Sequence, residues 1–171
     1  HLDLGEWAYG GGAWATVYEV VDLEDPVAVE AEARAQLARF RELAGADPTH
    51  LDSHQHVHLA PAVAAVVDRL GEALGVPVRR RGRVRYCGDF YGRTHDDRPL
   101  PEAITSERLV ALVASLPDGV TELACHPGEG TEAPDAYDAE RRAEVTALCD
   151  PAVRDALERE GVRLRSFAGL A

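Results

Sequence analysis

The stretch THLDSHQHVH, residues 49–58, combines four of the seven histidines of the chain with a carboxylate. Imidazole and carboxylate groups are common ligands for zinc, manganese and iron, and a neutral imidazole binds a metal ion without adding charge. The alternative is a polar loop whose histidines only form hydrogen bonds, which is the better interpretation of a lone histidine. A run of alternating histidines after a buried-strand pattern favours a metal site, because each buried imidazole needs partners for its polar atoms.

Strand geometry limits how many of these histidines can bind one ion. Alternate residues of an extended chain lie about 6.6 Å apart, so His54, His56 and His58 cannot all reach the same metal. A helix would pair His54 with His58, but no glutamate follows His54, and Pro61 is the better helix start. We therefore predict a strand over residues 49–54 that ends at the site, with the later histidines in a loop. The other ligands would come from elsewhere in the chain.

Composition predicts one globular domain. A chain of 171 residues, 46% hydrophobic and 28% charged, is long enough to bury a substantial core. The net charge of −12 argues against nucleic acid or an anionic membrane as a partner, since either would need clustered basic side chains. Three widely spaced cysteines indicate neither a disulfide scaffold nor a C-x-x-C metal site, and they favour a cytoplasmic protein.

Helix and strand patterns alternate along the chain, as is typical of a parallel α/β fold. Apolar residues at helical spacing, with capping residues, predict helices over residues 26–43, 61–74, 106–116, 138–148 and 151–160. Strands are predicted over residues 1–5, 49–54, 76–78, 120–125 and 162–167, with a glycine loop at 10–12 and a long loop over 86–101. Sites in such folds gather at the C-terminal ends of strands. We therefore expect His1, His54 and His126 to meet around one cation.

Several motifs resemble those of the YdjC-like carbohydrate deacetylases, a family that includes chitooligosaccharide deacetylases. Residues 49–58 resemble the family motif T-H-x-D-S-H-x-H-x-H, and HLDL at 1–4 resembles its H-L-x-L motif. FYG at 90–92 and TELACHPG at 121–128 are similar to two further family segments. Another family segment is similar to the region that holds Tyr137, Arg141 and Glu144. The resemblance covers essentially the whole chain.

The resemblance implies a distorted (β/α) barrel related to polysaccharide deacetylases. The implied reaction is metal-assisted hydrolysis of the acetamide group of N-acetylated sugars or oligosaccharides. One divalent ion, Mg²⁺ or Zn²⁺, would be bound by His1 and His54. His126 would be the catalytic histidine that protonates the leaving amine or steadies the oxyanion.

Other side chains are expected to support this chemistry. Asp52 and His56 would orient the metal-binding imidazoles. Contacts with the sugar are expected from Tyr91, Arg93 and Trp7. The expected partners are an N-acetylated sugar and, as an option, a second copy of the chain in a homodimer, but neither nucleic acid nor a membrane.

One family motif, N-A-D-D-x-G, has no counterpart in this sequence. In the family it supplies an aspartate ligand and the aspartate base. We therefore expect residues 1–171 to form a single barrel domain that lacks its N-terminal strand or strands. On their own, these residues are expected to bind metal poorly and to have little activity.

Other interpretations of the histidines stay open. A different barrel metallohydrolase, of the amidohydrolase or phosphoesterase type, would use both His54 and His56 as ligands. An inactive barrel fragment is a further alternative. Cys125 beside His126 suggests a nucleophile pair, but neighbouring residues of a strand face opposite ways, which favours a buried structural thiol.

Overall fold

A computed structural model describes residues 1–129 and 137–170 of the chain. These residues fall into two compact units. The first consists of residues 1–82 and the C-terminal segment from Arg165, and the second lies between residues 83 and 164. Each unit has its own hydrophobic core.

The first unit contains a β-hairpin, two long helices and a turn that carries histidines. Strand β1 (Gly5–Gly10) pairs antiparallel with β2 (Ala13–Glu19). Helix α1 spans Pro26–Ala44 and α2 spans Pro61–Leu74. A 3₁₀ segment, His54–Leu59, which we call the histidine turn, precedes α2.

Three short segments of the first unit pair in parallel at its core. Leu2 forms a bridge with Ser53, and Leu51 forms one with Val78. The Leu2 N–H donates to the Asp52 carbonyl at 2.8 Å on one side, and the Leu51 N–H donates to the Pro77 carbonyl at 3.0 Å on the other. The segment predicted as a strand over 49–54 therefore lies between two parallel neighbours, although each pairing extends over a single bridge. It leads directly into the histidine turn.

Local sequence explains both helices of this unit. The Asp25 side chain accepts hydrogen bonds from the first turn of α1, Pro26 opens the helix, and Gly45 closes it in the left-handed conformation. Helix α2 runs from Pro61 to a left-handed Gly75. Its buried residues repeat at helical spacing and join the core with Leu4 and Val29: Val63, Val66, Val67 and Leu70.

The second unit contains a parallel strand pair and three helices in its described residues. Strand β3 (Arg85–Cys87) pairs in parallel with β4 (Thr121–Leu123). A 3₁₀ turn, Pro101–Ile104, and helix α3 (Ser106–Ser115) connect the two strands, as a parallel crossover requires. Helices α4 (Asp138–Leu148) and α5 (Pro151–Arg159) follow. The core is built around Phe90, Ile104, Leu109, Leu112, Ala147 and Val153.

All five predicted helices are confirmed to within one residue at each end. The prediction of a strand over 162–167 is wrong: residues 162–166 belong to no helix or strand, and Leu164 is 82% exposed. Residues there alternate between apolar and polar, but no strand within residues 1–129 and 137–170 pairs with them. The glycine loop predicted at 10–12 is the tight end of a hairpin, where Gly11 and Gly12 adopt positive φ.

The mixed α/β class with parallel strand pairs is confirmed. Among residues 1–129 and 137–170, no closed sheet is present. No helix within these residues combines the length and apolar character needed to cross a membrane.

Candidate functional site

A buried carboxylate holds the ring of His1 in the first unit. The Nδ1 atom of His1 lies 3.0 Å from Oδ1 of Asp52, and Asp52 is only 7% exposed. The guanidinium of Arg79 lies 3.3 Å from the other carboxylate oxygen. The ring of His54 stands edge-on to His1 with 6.1 Å between centroids. The structure thus brings the two predicted metal ligands together, with Asp52 where a group that orients His1 must lie.

The backbone of the histidine turn is held in an unusual conformation. Gln55 (φ 47°) and His56 (φ 58°) both adopt the left-handed region that non-glycine residues rarely enter. The Gln55 amide accepts a hydrogen bond from the Trp7 N–H at 2.9 Å and donates one to the Trp7 carbonyl at 2.7 Å. These two bonds attach the turn to strand β1 and stabilise a conformation that costs of the order of 1–3 kcal/mol per residue.

His58 is fully buried and structural. Its Nε2 donates to the Arg79 carbonyl at 2.9 Å, because a carbonyl can only accept, so Nδ1 accepts from the Ser53 hydroxyl at 2.8 Å. Burial lowers the pKa of His58, and the hydrogen bond to the Arg79 carbonyl opposes this shift. The half-buried ring of His56 stands edge-on to His58 at 6.0 Å.

The donor chemistry around His1 fits a metal ion in part. An imidazole whose Nδ1 is bound to a carboxylate keeps Nε2 for a metal, which is the usual arrangement at zinc sites. The pair His1 and His54 therefore offers two suitable ligands. The described part of the chain does not contain three or more His, Cys, Asp or Glu side chains grouped to hold a metal ion. The two histidines thus account for part of a coordination shell.

A second group of side chains surrounds His126 in the second unit. His126 follows strand β4, and its backbone N–H donates a short hydrogen bond to Oε2 of Glu144 on α4. The Tyr137 hydroxyl donates to the other Glu144 oxygen at 3.4 Å. Glu144 is fully buried, and burial raises the pKa of its carboxyl group, an effect opposed by the hydrogen bond from His126. Glu144 thereby fixes the backbone of His126, an exposed residue.

Two tyrosine rings flank His126. The ring of Tyr91 lies 5.5 Å from the imidazole, the ring of Tyr137 lies 6.2 Å away, and the two phenols are 5.8 Å apart. Burial raises the pKa of both phenols, so both keep their protons at neutral pH. The result is a cluster of three rings, an imidazole and two neutral phenols, in which the Tyr137 hydroxyl already donates to Glu144.

The buried side chain of Arg93 packs against this second group. Its guanidinium lies 3.2 Å from Oε1 of Glu140, with both side chains 8% exposed, and 5.3 Å from the Tyr137 ring centroid. Gly92 is required here because a Cβ atom would lie 2.8 Å from Ile104 and 2.9 Å from Glu140. Arg93 contacts Glu140 and Tyr137, and its expected contact with the sugar stays a prediction.

Several residues of both groups escaped the sequence analysis as functional candidates. Tyr137 and Glu144 carry the motif resemblance, but their spacing on α4 gave no sign that they converge on His126. Gln55 lies within the histidine stretch, and the sequence assigned it no role. Positive φ at Gln55 is invisible in the sequence, because such a conformation is usually signalled by glycine or asparagine.

The chain is a mixed α/β protein with parallel strand crossovers. His54 follows the paired segment 51–53, and His126 follows strand β4. The profile of the family described as YdjC-like protein matches residues 12–159. The chain belongs to this family.

Two curated relatives and one solved structure illustrate what the chain is similar to. A carbohydrate deacetylase from Geobacillus stearothermophilus is 33% identical over 153 residues, which cover 81% of this chain and 58% of the relative. A chitooligosaccharide deacetylase from Enterobacter sp. (strain 638) is 31% identical, with 98% and 68% covered. A cellobiose-phosphate cleavage protein from Enterococcus faecalis V583 superposes with a TM-score of 0.73 at 24% identity, over 86% of this chain and 62% of that one. The chain thus spans about three fifths of the length of the Geobacillus relative.

Proposed function

We propose that the intact protein hydrolyses the acetamide group of N-acetylated sugars or oligosaccharides with the help of one divalent metal ion. Family membership and relatives described as carbohydrate and chitooligosaccharide deacetylases support the reaction. The observation that carries the metal dependence is the His1 ring held by buried Asp52 beside His54. Two imidazoles favour Zn²⁺ over Mg²⁺, which prefers oxygen ligands.

The proposed barrel rests on the parallel connections. In the first unit, segment 51–53 lies between parallel neighbours, and α1 and α2 make the crossovers. In the second unit, α3 makes the same connection between β3 and β4. Repeated strand–helix–strand units of this kind build (β/α) barrels. An experimental structure of the intact protein tests whether its sheet closes.

In the proposed mechanism, His1 and His54 would hold the ion, and Asp52 would keep the proton of His1 on Nδ1 and leave Nε2 as the metal-binding atom. The ion would polarise the acetamide and acidify a water molecule. Hydrolysis adds that water to the acetamide carbon and breaks the C–N bond, which releases acetate and a sugar amine. The proton lost by the water goes to a base that we do not assign among the described residues.

His126 is proposed to donate a proton to the leaving amine. His126 is an exposed residue, and Glu144 fixes its backbone. The neutral phenol of Tyr91, whose ring packs beside the imidazole, would contact the sugar, whereas the Tyr137 hydroxyl is bound to Glu144. His56 is proposed to support the histidine turn through its contact with His58.

The test measures both acetate release and bound metal. His54→Gln should lose metal and activity together, whereas His126→Gln should keep its metal and lose about 100- to 10,000-fold in kcat, the usual contribution of a general acid. His95→Gln is the matched control, because its side chain is 94% exposed and lies outside both groups.

Two results would contradict this function. Acetate release that survives complete removal of divalent metal would exclude the metal dependence. Full activity in His126→Gln would exclude its role as the acid.

A further inference from the structure

Arg79 differs in exposure from the other arginines of the basic run at residues 79–85. Its side chain is only 18% exposed, and its guanidinium contacts the buried carboxylate of Asp52. The other four arginines of the run are exposed: Arg80, Arg81, Arg83 and Arg85. A charged side chain that is withdrawn from water needs a partner, and Asp52 supplies it.

The carboxylate of Asp52 bridges Arg79 and His1. Its Oδ1 lies 3.0 Å from Nδ1 of His1, and its Oδ2 lies 3.3 Å from Nη1 of Arg79. The terminal torsion of an aspartate is broad, so a carboxylate held through one oxygen can turn about its Cβ–Cγ bond. The contact with Arg79 holds the second oxygen and thereby fixes the plane of the carboxylate that binds His1.

Backbone hydrogen bonds fix Arg79 itself. Its N–H donates to the Leu51 carbonyl at 2.8 Å, and its carbonyl accepts from Nε2 of His58 at 2.9 Å. Because Leu51 directly precedes Asp52, this pairing places the backbone of Arg79 beside the segment that carries the carboxylate. A planar, weakly hydrated guanidinium suits a buried ion pair of this kind better than the ammonium group of lysine.

We infer that Arg79 is a positioning residue for the proposed metal ion and acts through Asp52. By holding the carboxylate, it keeps the proton of His1 on Nδ1 and leaves Nε2 as the atom that binds the metal. The inference rests on the proposed function and deepens it, because it adds a residue outside the histidine stretch to the metal site. Arg79 itself would not touch the metal or the substrate.

Zinc binding and the tautomer of His1 test this inference in the intact protein. Arg79→Gln should weaken the binding of Zn²⁺ alone, measured by calorimetry, about 10- to 100-fold, the usual effect of losing a partner of a metal ligand. In the metal-free protein at pH 8, long-range ¹H–¹⁵N NMR should show His1 protonated on Nδ1. Arg79→Gln should shift part of this population to Nε2. Arg79→Lys keeps the charge and should recover part of the zinc affinity.

Arg81→Gln is the matched control. Arg81 belongs to the same basic run and also binds a carboxylate, since its Nε lies 2.6 Å from Oδ1 of Asp68, but this pair is partly exposed. Its replacement should leave both the zinc affinity and the His1 tautomer unchanged.

A double-mutant cycle with Asp52→Asn distinguishes a positioning role from a general structural one. If Arg79 acts through Asp52, Arg79→Gln should weaken zinc binding no further once Asp52→Asn is present. Fully additive losses would overturn the inference, because Arg79 would then act on the site independently of Asp52.

Measuring zinc binding without substrate separates this inference from the proposed function. Zinc affinity that falls in Arg79→Gln as expected, in a protein that releases no acetate, would support the role of Arg79 and overturn the proposed reaction. Metal-dependent acetate release, together with an unchanged zinc affinity and His1 tautomer in Arg79→Gln, would overturn the role of Arg79 alone.

Discussion

His58 shows how a single buried side chain couples the histidine turn to pH. The fold holds it neutral between the Ser53 hydroxyl and the Arg79 carbonyl, and burial lowers its pKa below the ordinary value of about 6.5. Below about pH 6.5, His58 binds a proton in the unfolded chain but stays neutral in the folded protein. The contribution of His58 to stability is therefore complete above that pH and is lost as the pH falls.

We expect the free energy of unfolding to decrease below pH 6.5, with a His58 contribution of up to about 1.4 kcal/mol per pH unit. Urea unfolding of His58→Gln between pH 7.5 and 5 should show lower stability at pH 7.5 but a shallower slope. His95→Gln is the control replacement of a histidine, because its side chain is 94% exposed. An unchanged slope in His58→Gln would show that other groups cause the pH dependence.

Individual residues also show which contacts of the candidate site were predictable from the sequence. His1, His54 and Asp52 were predicted to lie together, and the structure brings them together because the segments of Leu2 and Leu51 pair in parallel. Their roles at a metal stay predictions. The contact of Arg93 with a sugar stays a prediction as well, and its burial against Glu140, a partner 47 positions along the chain, was not predicted. No local pattern reveals such a pairing.

At the scale of elements, α2 approaches its neighbouring segment closely because Gly71 has no side chain. A Cβ atom at this position would lie 2.7 Å from Cγ2 of Val78 and 3.1 Å from the Val76 carbonyl. Alanine ordinarily favours a helix by about 1 kcal/mol over glycine. Here overpacking, which typically costs about 1–3 kcal/mol, should outweigh that gain.

We therefore predict that Gly71→Ala destabilises the protein by about 1–2 kcal/mol in urea unfolding. Adding Val78→Ala should recover part of the loss, because it removes the nearest methyl group, and a double-mutant cycle measures this coupling. Glu72→Ala, an exposed neighbour on the same helix, should change stability by less than about 0.5 kcal/mol. Stabilisation by Gly71→Ala would mean that α2 can move away from Val78 at little cost.

Helix ends were predictable, whereas strand ends were not. Pro26 with Asp25, and Pro61 with Gly75, specify their helices through local backbone chemistry. The stretch over 162–167 has the alternation of a strand, but a strand also needs a neighbour, and Leu164 is 82% exposed. Strand formation depends on pairing partners distant in sequence, which a single chain does not reveal.

The whole molecule carries a net charge of −12, so its acidic surface repels itself in the folded state. Salt should relieve this repulsion, because the screening length falls from about 30 Å at 0.01 M to about 8 Å at 0.15 M. Salt also weakens exposed ion pairs such as Glu30 with Arg34 and Arg69. Each such pair contributes about 0–1 kcal/mol, so we expect the relief of repulsion to prevail.

We predict that raising NaCl from 0.01 to 0.15 M at pH 7.5 raises the Tm by about 2–4 °C, which corresponds to about 1 kcal/mol for a chain of this size. The same salt series near pH 5 is the control: the isoelectric point is about 4.9, so the net charge and its repulsion nearly vanish there. A Tm that falls with salt at pH 7.5 would show that the ion pairs contribute more than the excess negative charge costs. Differential scanning calorimetry at the four combinations of salt and pH separates the two effects, because only the repulsion depends on the net charge.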